Sequence, residues 1–520
     1  MTDPRPSQAV SSPNPVVTIR SSYSSEPVER RRLHGSLGTG AIVLMVLAAA
    51  APLSVIGGQV PLGFMIGNGV GVPSMFVLAA AILLLFAVGF THMTKFIRKT
   101  GAFFIYISFG LSKPLGLAAA YLSIFSYLCI EVGLVGYLGS AASQSIRSAG
   151  GPDIPWWFFA LGALAVVAAV GLRNIDLSSK VLAVLLVAEI AIVLIIVLAV
   201  LVTGGDSGLS AAPFEPSHIL SGSPSLGLMF ALAAFLGFES TAIFRDEAKQ
   251  PNKTIPRATY LAVIMVGLFY TLSSWALVVA WGPDNIVAMA TQYPATLIME
   301  TASRYLGPVA VVIINVLIFT SVIAASLSFH NVVTRYLHSL ASHGFLPRSI
   351  SEVDNRHNSP RLASLITSGV ALSAILLAGL LGLNGATQVL AWTSGMATFG
   401  VAFLMAVTAL AVIVFFLRTR LDRNIWKTLI APILGFVGLA ISAYLIVSNF
   451  PLLVGDVGAD GTPQFGFISV LLLLSLVPMP LFGLCQALWL RRKNKSLYAA
   501  ITDVEDDAAQ VKTPDQRRQA

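Results

Sequence analysis

Long apolar runs, interrupted by short polar stretches, make up most of this chain. A helix that crosses a bilayer needs roughly twenty apolar residues. On that measure the runs predict spans over 38–62, 72–94, 114–145, 156–174, 179–203, 223–244, 257–281, 306–337, 362–382, 386–417, 428–448 and 465–490. Strands of a membrane barrel are ~10 residues long and alternate in polarity. These runs are longer and do not alternate, so the predicted class is all-α with twelve transmembrane helices. The stretch 101–110 (GAFFIYISFG) is too short to cross and follows Lys95, Arg98 and Lys99. It is predicted to lie at the cytoplasmic interface as an amphipathic helix.

The polar stretches carry the topology. With the N-terminus inside, the inner segments hold 30 of the 32 Lys and Arg, and the outer ones hold only Arg147 and Arg304. Cytoplasmic loops are enriched in Lys and Arg, and one missed helix would mix the two classes. The split therefore predicts an even number of spans with both termini cytoplasmic. Residues 1–35 are rich in Ser, Pro and Arg and have no apolar core of a signal peptide. They are predicted to be a disordered cytoplasmic tail, and 491–520 a second cytoplasmic tail.

Composition agrees. Of 520 residues, 56% are hydrophobic and 11% charged, and the mean hydropathy is +0.82. An average soluble domain carries roughly 25% charged residues, so a soluble enzyme, a secreted disulfide scaffold and a disordered protein are excluded. The net charge of +8 reads as topology, and no nucleic-acid partner is expected; membrane lipid is the surrounding partner. Cys129 and Cys485 both lie in apolar runs and read as packing residues, with no metal site.

Three spans differ from the rest. The first contains Pro52, followed by Gly57, Gly58 and Pro61. Proline removes a backbone donor and crowds the preceding turn. The sixth carries Gly237 and then Glu239. The tenth contains Trp392-Thr393-Ser394-Gly395. Interrupted helices at corresponding positions of two halves point to an inverted-repeat transporter. The halves would be about 38–203 and 223–417, followed by extra helices over about 428–490, all within a domain spanning 36–490.

The stretch 235–256, FLGFESTAIFRDEAKQPNKTIP, resembles the sixth-helix signature of the amino acid–polyamine–organocation (APC) superfamily of permeases. Its elements stand here as Gly237-Phe238-Glu239, Glu247-Ala248, Pro251 and Ile255-Pro256. Arg335-Tyr336-Leu337, Gly344-Phe345-Leu346-Pro347 and Pro360 resemble the end of the eighth helix and the loop after it. Gly101-Ala102-Phe103 is similar to the opening of the first cytoplasmic loop. One departure is clear: many members carry G-S-G-I in the first helix, where this chain has Ala48-Ala49-Ala50-Ala51-Pro52-Leu53-Ser54. The resemblance implies a LeuT-type 5+5 inverted repeat plus two extra helices. It also implies amino acid transport coupled to protons or run as exchange.

A zwitterion crosses hydrocarbon only if both its charges meet partners. Freed N–H groups at the start of a half-helix suit a carboxylate, and freed carbonyls at the end of one suit an ammonium. Span 1, broken near Ala49, Ala50, Ala51 and Ser54, is the expected carboxylate site. Span 6, broken near Phe235, Gly237, Phe238 and Glu239, is the expected ammonium site. Phe238 is a candidate lid, and Trp392 a candidate closure on the opposite side. Glu131, Glu189 and Glu239 lie inside spans, where a charge costs at least ~2.5 kcal/mol. All three are candidate proton carriers. Glu239 has a rival role as a structural cap of the break, and Glu131, one turn after Tyr127, could instead bond to a neighbouring helix. Packing is the bland reading of Glu189. Hydroxyls at Thr320, Ser321, Ser326 and Ser328 leave sodium open as coupling ion. His330 and His338 read as interface residues.

No P-loop, HExxH or GxSxG pattern is present, so neither an ATP-driven pump nor an enzyme is expected, and no cofactor. The reading is a multi-pass permease of the cytoplasmic membrane, of bacterial amino acid permease type. It would import an amino acid or related amine by alternating access, with a proton. The alternatives are an exchanger of amino acids or polyamines, and a sodium-coupled symporter.

Overall fold

A computed structural model describes residues 37–97, 102–173, 179–239, 241–242, 248–353, 360–458 and 462–500. The expected N-terminal tail and residues 501–520 lie outside the described residues, as does Glu247 of the sixth-helix signature. The helices along the predicted spans are α1 (Thr39–Ile66), α2 (Gly69–Met93), α3 (Lys113–Ser148), α4 (Trp156–Arg173), α5 (Ser179–Thr203), α6 (Pro224–Ala233), α7 (Pro251–Trp281), α8 (Pro308–Ser342), α9 (Arg361–Leu380), α10 (Gly385–Thr419), α11 (Trp426–Ser448) and α12 (Phe467–Lys493). Among the described residues, ten of these are long and apolar enough to cross a membrane, and α4 and α6 are shorter apolar helices.

Two departures from regular helix have physical reasons. The sixth span was expected to run over 223–244, but its regular helix stops at Ala233. The chain then turns through Gly237, whose φ of +102° lies where L side chains rarely go. The first span is interrupted at Ala50–Ala51. Pro52 brings no N–H, and Ala51 takes up a left-handed φ of +46°, a conformation that costs an L-residue roughly 1–2 kcal/mol.

Two expectations are corrected. The helix Ala102–Gly110 does not lie on the surface, because Phe103, Ile105, Tyr106 and Ile107 are all buried. Gly110 packs so closely on the Ala411 carbonyl of α10 that a Cβ there would approach it to 2.2 Å. The C-terminal stretch is not all tail: a helix Lys495–Ala500 follows α12, and the Lys113 ammonium donates to the carbonyls of Tyr498 (3.2 Å) and Ala499 (2.8 Å).

Burial ranks the helices. In α3 83% of the most apolar stretch is buried, against 17% in α12. By this measure α3, α10 (72%), α1 and α2 (67% each) are the most enclosed, and α12 lies at the periphery. Large apolar side chains point outward, including Val202, Leu380 and Phe467. Such surface would be an aggregation liability in water and is what a helix offers to lipid. At the C-terminal end of α2, His92 Nε2 meets Asp422 Oδ2 at 2.9 Å. The Asn424 N–H, with help from His92, holds the Asp422 carboxyl below the usual carboxylate range.

Candidate functional site

The two helix interruptions face each other. A Cβ placed on Gly237 would lie 3.3 Å from the Ala49 Cβ. Small residues on both sides let two irregular backbone segments approach inside a helix bundle, where such backbone is tolerated when it is buried in protein or lines a water-filled cavity. Ala50, Ala51, Ser54 and Glu239 are all buried there. The Tyr270 hydroxyl of α7 donates to the Ala50 carbonyl at 3.0 Å, so one freed carbonyl of the α1 break already has a partner.

Glu239 holds its own break. Its carboxylate accepts from the Gly237 N–H at 3.0 Å and from the Tyr127 hydroxyl of α3. The Tyr127 ring stacks on Phe329 of α8, with centroids 5.9 Å apart. This is the capping geometry weighed for Glu239 from the sequence.

Glu189 reaches the other break. The carboxylate of this α5 residue comes close to the Leu53 backbone N–H, in the first turn after the α1 break. It accepts from the Ser321 hydroxyl of α8 at 2.7 Å. Ser54 donates to Ser321 at 3.2 Å. A cavity of about 10 Å³ lies between Ala48, Glu189, Thr320 and Ser321, about the size of one water. The half-helix N-terminus expected to receive a substrate carboxylate is therefore occupied by a side-chain carboxylate.

Glu131 belongs to a separate cluster. Its Oε1 lies 3.1 Å from His330 Nδ1 of α8, and His330 Nε2 lies 2.9 Å from the Ser364 hydroxyl of α9. Glu131 and His330 are both fully buried, and Glu131 Oε2 has no hydrogen-bond partner. His330 is thus no interface residue. The shared helix face of Tyr127 and Glu131 does not join them, because each bonds to a different helix. Removing one partner of a buried pair strands the other. Glu131→Leu is therefore expected to cost about 3 kcal/mol, whereas Glu131→Gln, which can still bond to His330, costs only about 1 kcal/mol. Thermal unfolding in detergent checks this, and equal midpoints for the two variants would contradict it.

The remaining candidates divide. Phe238 meets Phe86 of α2 edge-on at 6.1 Å, and Phe235 lies against Gly267 of α7, so both pack the back of the α6 break. Trp392 to Gly395 is regular helix within α10, not a third interruption. Ser394 there accepts from the Gln59 amide at 2.8 Å, tying α10 to the part of α1 that follows the break. Sequence reasoning missed Tyr270 and the close approach of Tyr137 of α3 to Gly57 of α1, where a Cβ on that glycine would come 2.0 Å from the hydroxyl. The Gly57-Gly58 pair was the available signal.

A multi-pass helical bundle that places two broken helices in contact, with buried carboxylates on both breaks, has the build of a membrane carrier. The family comparison specifies which: an amino acid permease model matches residues 37–476, and the chain belongs to that family, a family of transporters and not of enzymes. It is similar to the lysine-specific permease LysP of Lactococcus lactis, with 29% identity over 43% of this chain and 47% of that protein. It is also similar to the low-affinity putrescine importer PlaP of Escherichia coli, with 22% identity over 66% and 75%. The L-asparagine permease of Salmonella typhimurium is 26% identical over 64% of each chain. The match to LysP spans about half of that protein's length.

Proposed function

We propose that this permease imports an amino acid across the cytoplasmic membrane together with a proton, by alternating access around the two helix breaks. Both chain ends are cytoplasmic in this reading, as the distribution of Lys and Arg indicates. The interrupted helices α1 and α6 stand five apart in chain order. That supports two inverted five-helix repeats, about 38–203 and 223–417, followed by α11 and α12.

The observation that carries the proposal is the Glu189 carboxylate, bonded to Ser321 and placed beside the Leu53 N–H at the α1 break. A helix N-terminus carries a partial positive charge, and Glu189 neutralises it. A substrate carboxylate brought to the same place meets a like charge. Protonating Glu189 removes that charge and weakens its hold on the N–H. Proton and amino acid then bind together, which is the linkage a symporter needs. The substrate ammonium would go to freed carbonyls near Gly237, beside the carboxylate of Glu239.

A second reading has one observation behind it. The Glu189, Ser321 and Thr320 oxygens around the small cavity beside Ala48 are hard donors of the kind a sodium ion takes. Counterflow tests the carrier itself: proteoliposomes preloaded with an unlabelled amino acid are given trace label outside. Lysine, asparagine and putrescine are the first probes, being named in the relatives. Transient label uptake that depends on the preloaded compound supports a carrier, and its absence for every amino acid and amine counts against one.

A further inference from the structure

A cavity of about 620 Å³ opens at the far end of α3, on the side opposite the basic loops. It is lined by Ser140, Gln144, Arg147, Asp153, Gln292 and Asn384, among others. That volume lies within the range of small-molecule sites and far exceeds the cavity beside Glu189. Arg147 and Asp153 both line this opening and contact each other as an ion pair, and both are well exposed. Nothing in the transport scheme above uses them.

We propose that this cavity is an outer binding site for a free α-amino acid, which docks before it enters the helix breaks. The recognition is chemical. The Arg147 guanidinium offers a planar fork that fits a carboxylate, and the Asp153 carboxylate fits an ammonium. An α-amino acid carries that same pair of charges on one carbon and replaces the Arg147–Asp153 contact with two of its own. The Gln144 amide makes no hydrogen bond with another described residue and is free to serve the ligand. The walls are held in place: Asn384 caps the start of α10 through the Ala386 and Thr387 N–H groups, and the Trp156 indole donates to the Leu383 carbonyl at 2.8 Å.

The remaining sparse-loop cation is committed elsewhere. Arg304 is paired with Asp206 and lies over the Trp281 ring, 5.0 Å from its centroid. Among the described residues Arg147 pairs with Asp153, a contact that the two charges of a ligand can replace. The floor of the cavity also leads inward. Ala295 lines it, and the Ala295 carbonyl accepts from the Tyr137 hydroxyl at 3.4 Å, the side chain that covers Gly57 of α1. Tyr137 thus links the wall of this outer site to the Gly57-Gly58 segment of the broken helix.

The proposal rests on the transporter reading for its purpose, but its test does not need transport. Equilibrium dialysis of the purified full chain against a panel of labelled amino acids measures how many molecules bind. The expected result is a second molecule per chain, lost in Arg147→Ala and Asp153→Asn and weakened roughly tenfold in Arg147→Lys, which keeps the charge but loses the fork. Putrescine, which has no carboxylate, is expected to show no second molecule. A single bound molecule in the wild type, unchanged by these variants, overturns the proposal, as does a panel in which no amino acid binds. Failure of transport with the second molecule still present would count against the transporter reading alone.

Discussion

Gly237→Ala is expected to cut amino acid uptake roughly thirtyfold while leaving a chain that folds and reaches the membrane. Gly237 sits at φ +102°, where a Cβ is strained regardless of space. That Cβ would also press to 3.3 Å on the Ala49 Cβ, from the other break. Strain of this kind costs roughly 1–2 kcal/mol. Carried in full by the substrate-bound state, about 2 kcal/mol is the thirtyfold loss. Gly369→Ala is the control, because Gly369 lies within α9 and no atom stands within 4 Å of its added Cβ. In a helix interior that change is expected to be neutral or to stabilise by about 1 kcal/mol. Initial rates in proteoliposomes, normalised to inserted protein, check the pair. Equal rates for both variants would mean that the meeting of the two breaks does not shape the substrate site.

Glu189→Gln is expected to separate exchange from accumulation. The amide copies the neutral state of the carboxyl, so the Leu53 N–H stays available to a substrate carboxylate and counterflow persists. No proton can be taken up or released there. A pH gradient then drives no accumulation, and the initial rate loses its dependence on pH. The wild type should accumulate label well above equilibrium under a tenfold inward proton gradient, an available driving force of about 1.4 kcal/mol per proton. Undiminished accumulation by Glu189→Gln would remove this residue from coupling. Sodium-driven accumulation lost in the same variant would favour the sodium reading.

Much of the architecture was legible because lipid imposes simple demands. A crossing helix must be apolar and about twenty residues long, so run length alone located the ten described helices that are long enough to cross. The break in α1 was legible from Pro52, whose missing N–H leaves the previous turn without a bond. In α6 the signal was Gly237 beside Glu239. The buried pairings were not legible, because they depend on which face of each helix turns inward. Glu131 and His330 are 199 residues apart and Glu189 and Ser321 are 132 apart; no local pattern connects either pair. The short helix Ala102–Gly110 misled for a related reason. Neighbouring Lys95, Arg98 and Lys99 suggested an interfacial helix, yet its Phe103 and Ile107 are buried against the bundle. A basic neighbour shows which side of the membrane a segment lies on, but not how deeply it packs.

The transport claim is tested most directly by accumulation of a labelled amino acid in proteoliposomes of the wild-type chain. Parallel samples receive an inward proton gradient, an inward sodium gradient, or neither. Accumulation above the outside concentration with the proton gradient alone is the expected result. Equal label in all three conditions, never exceeding the outside concentration, would contradict proton-coupled import.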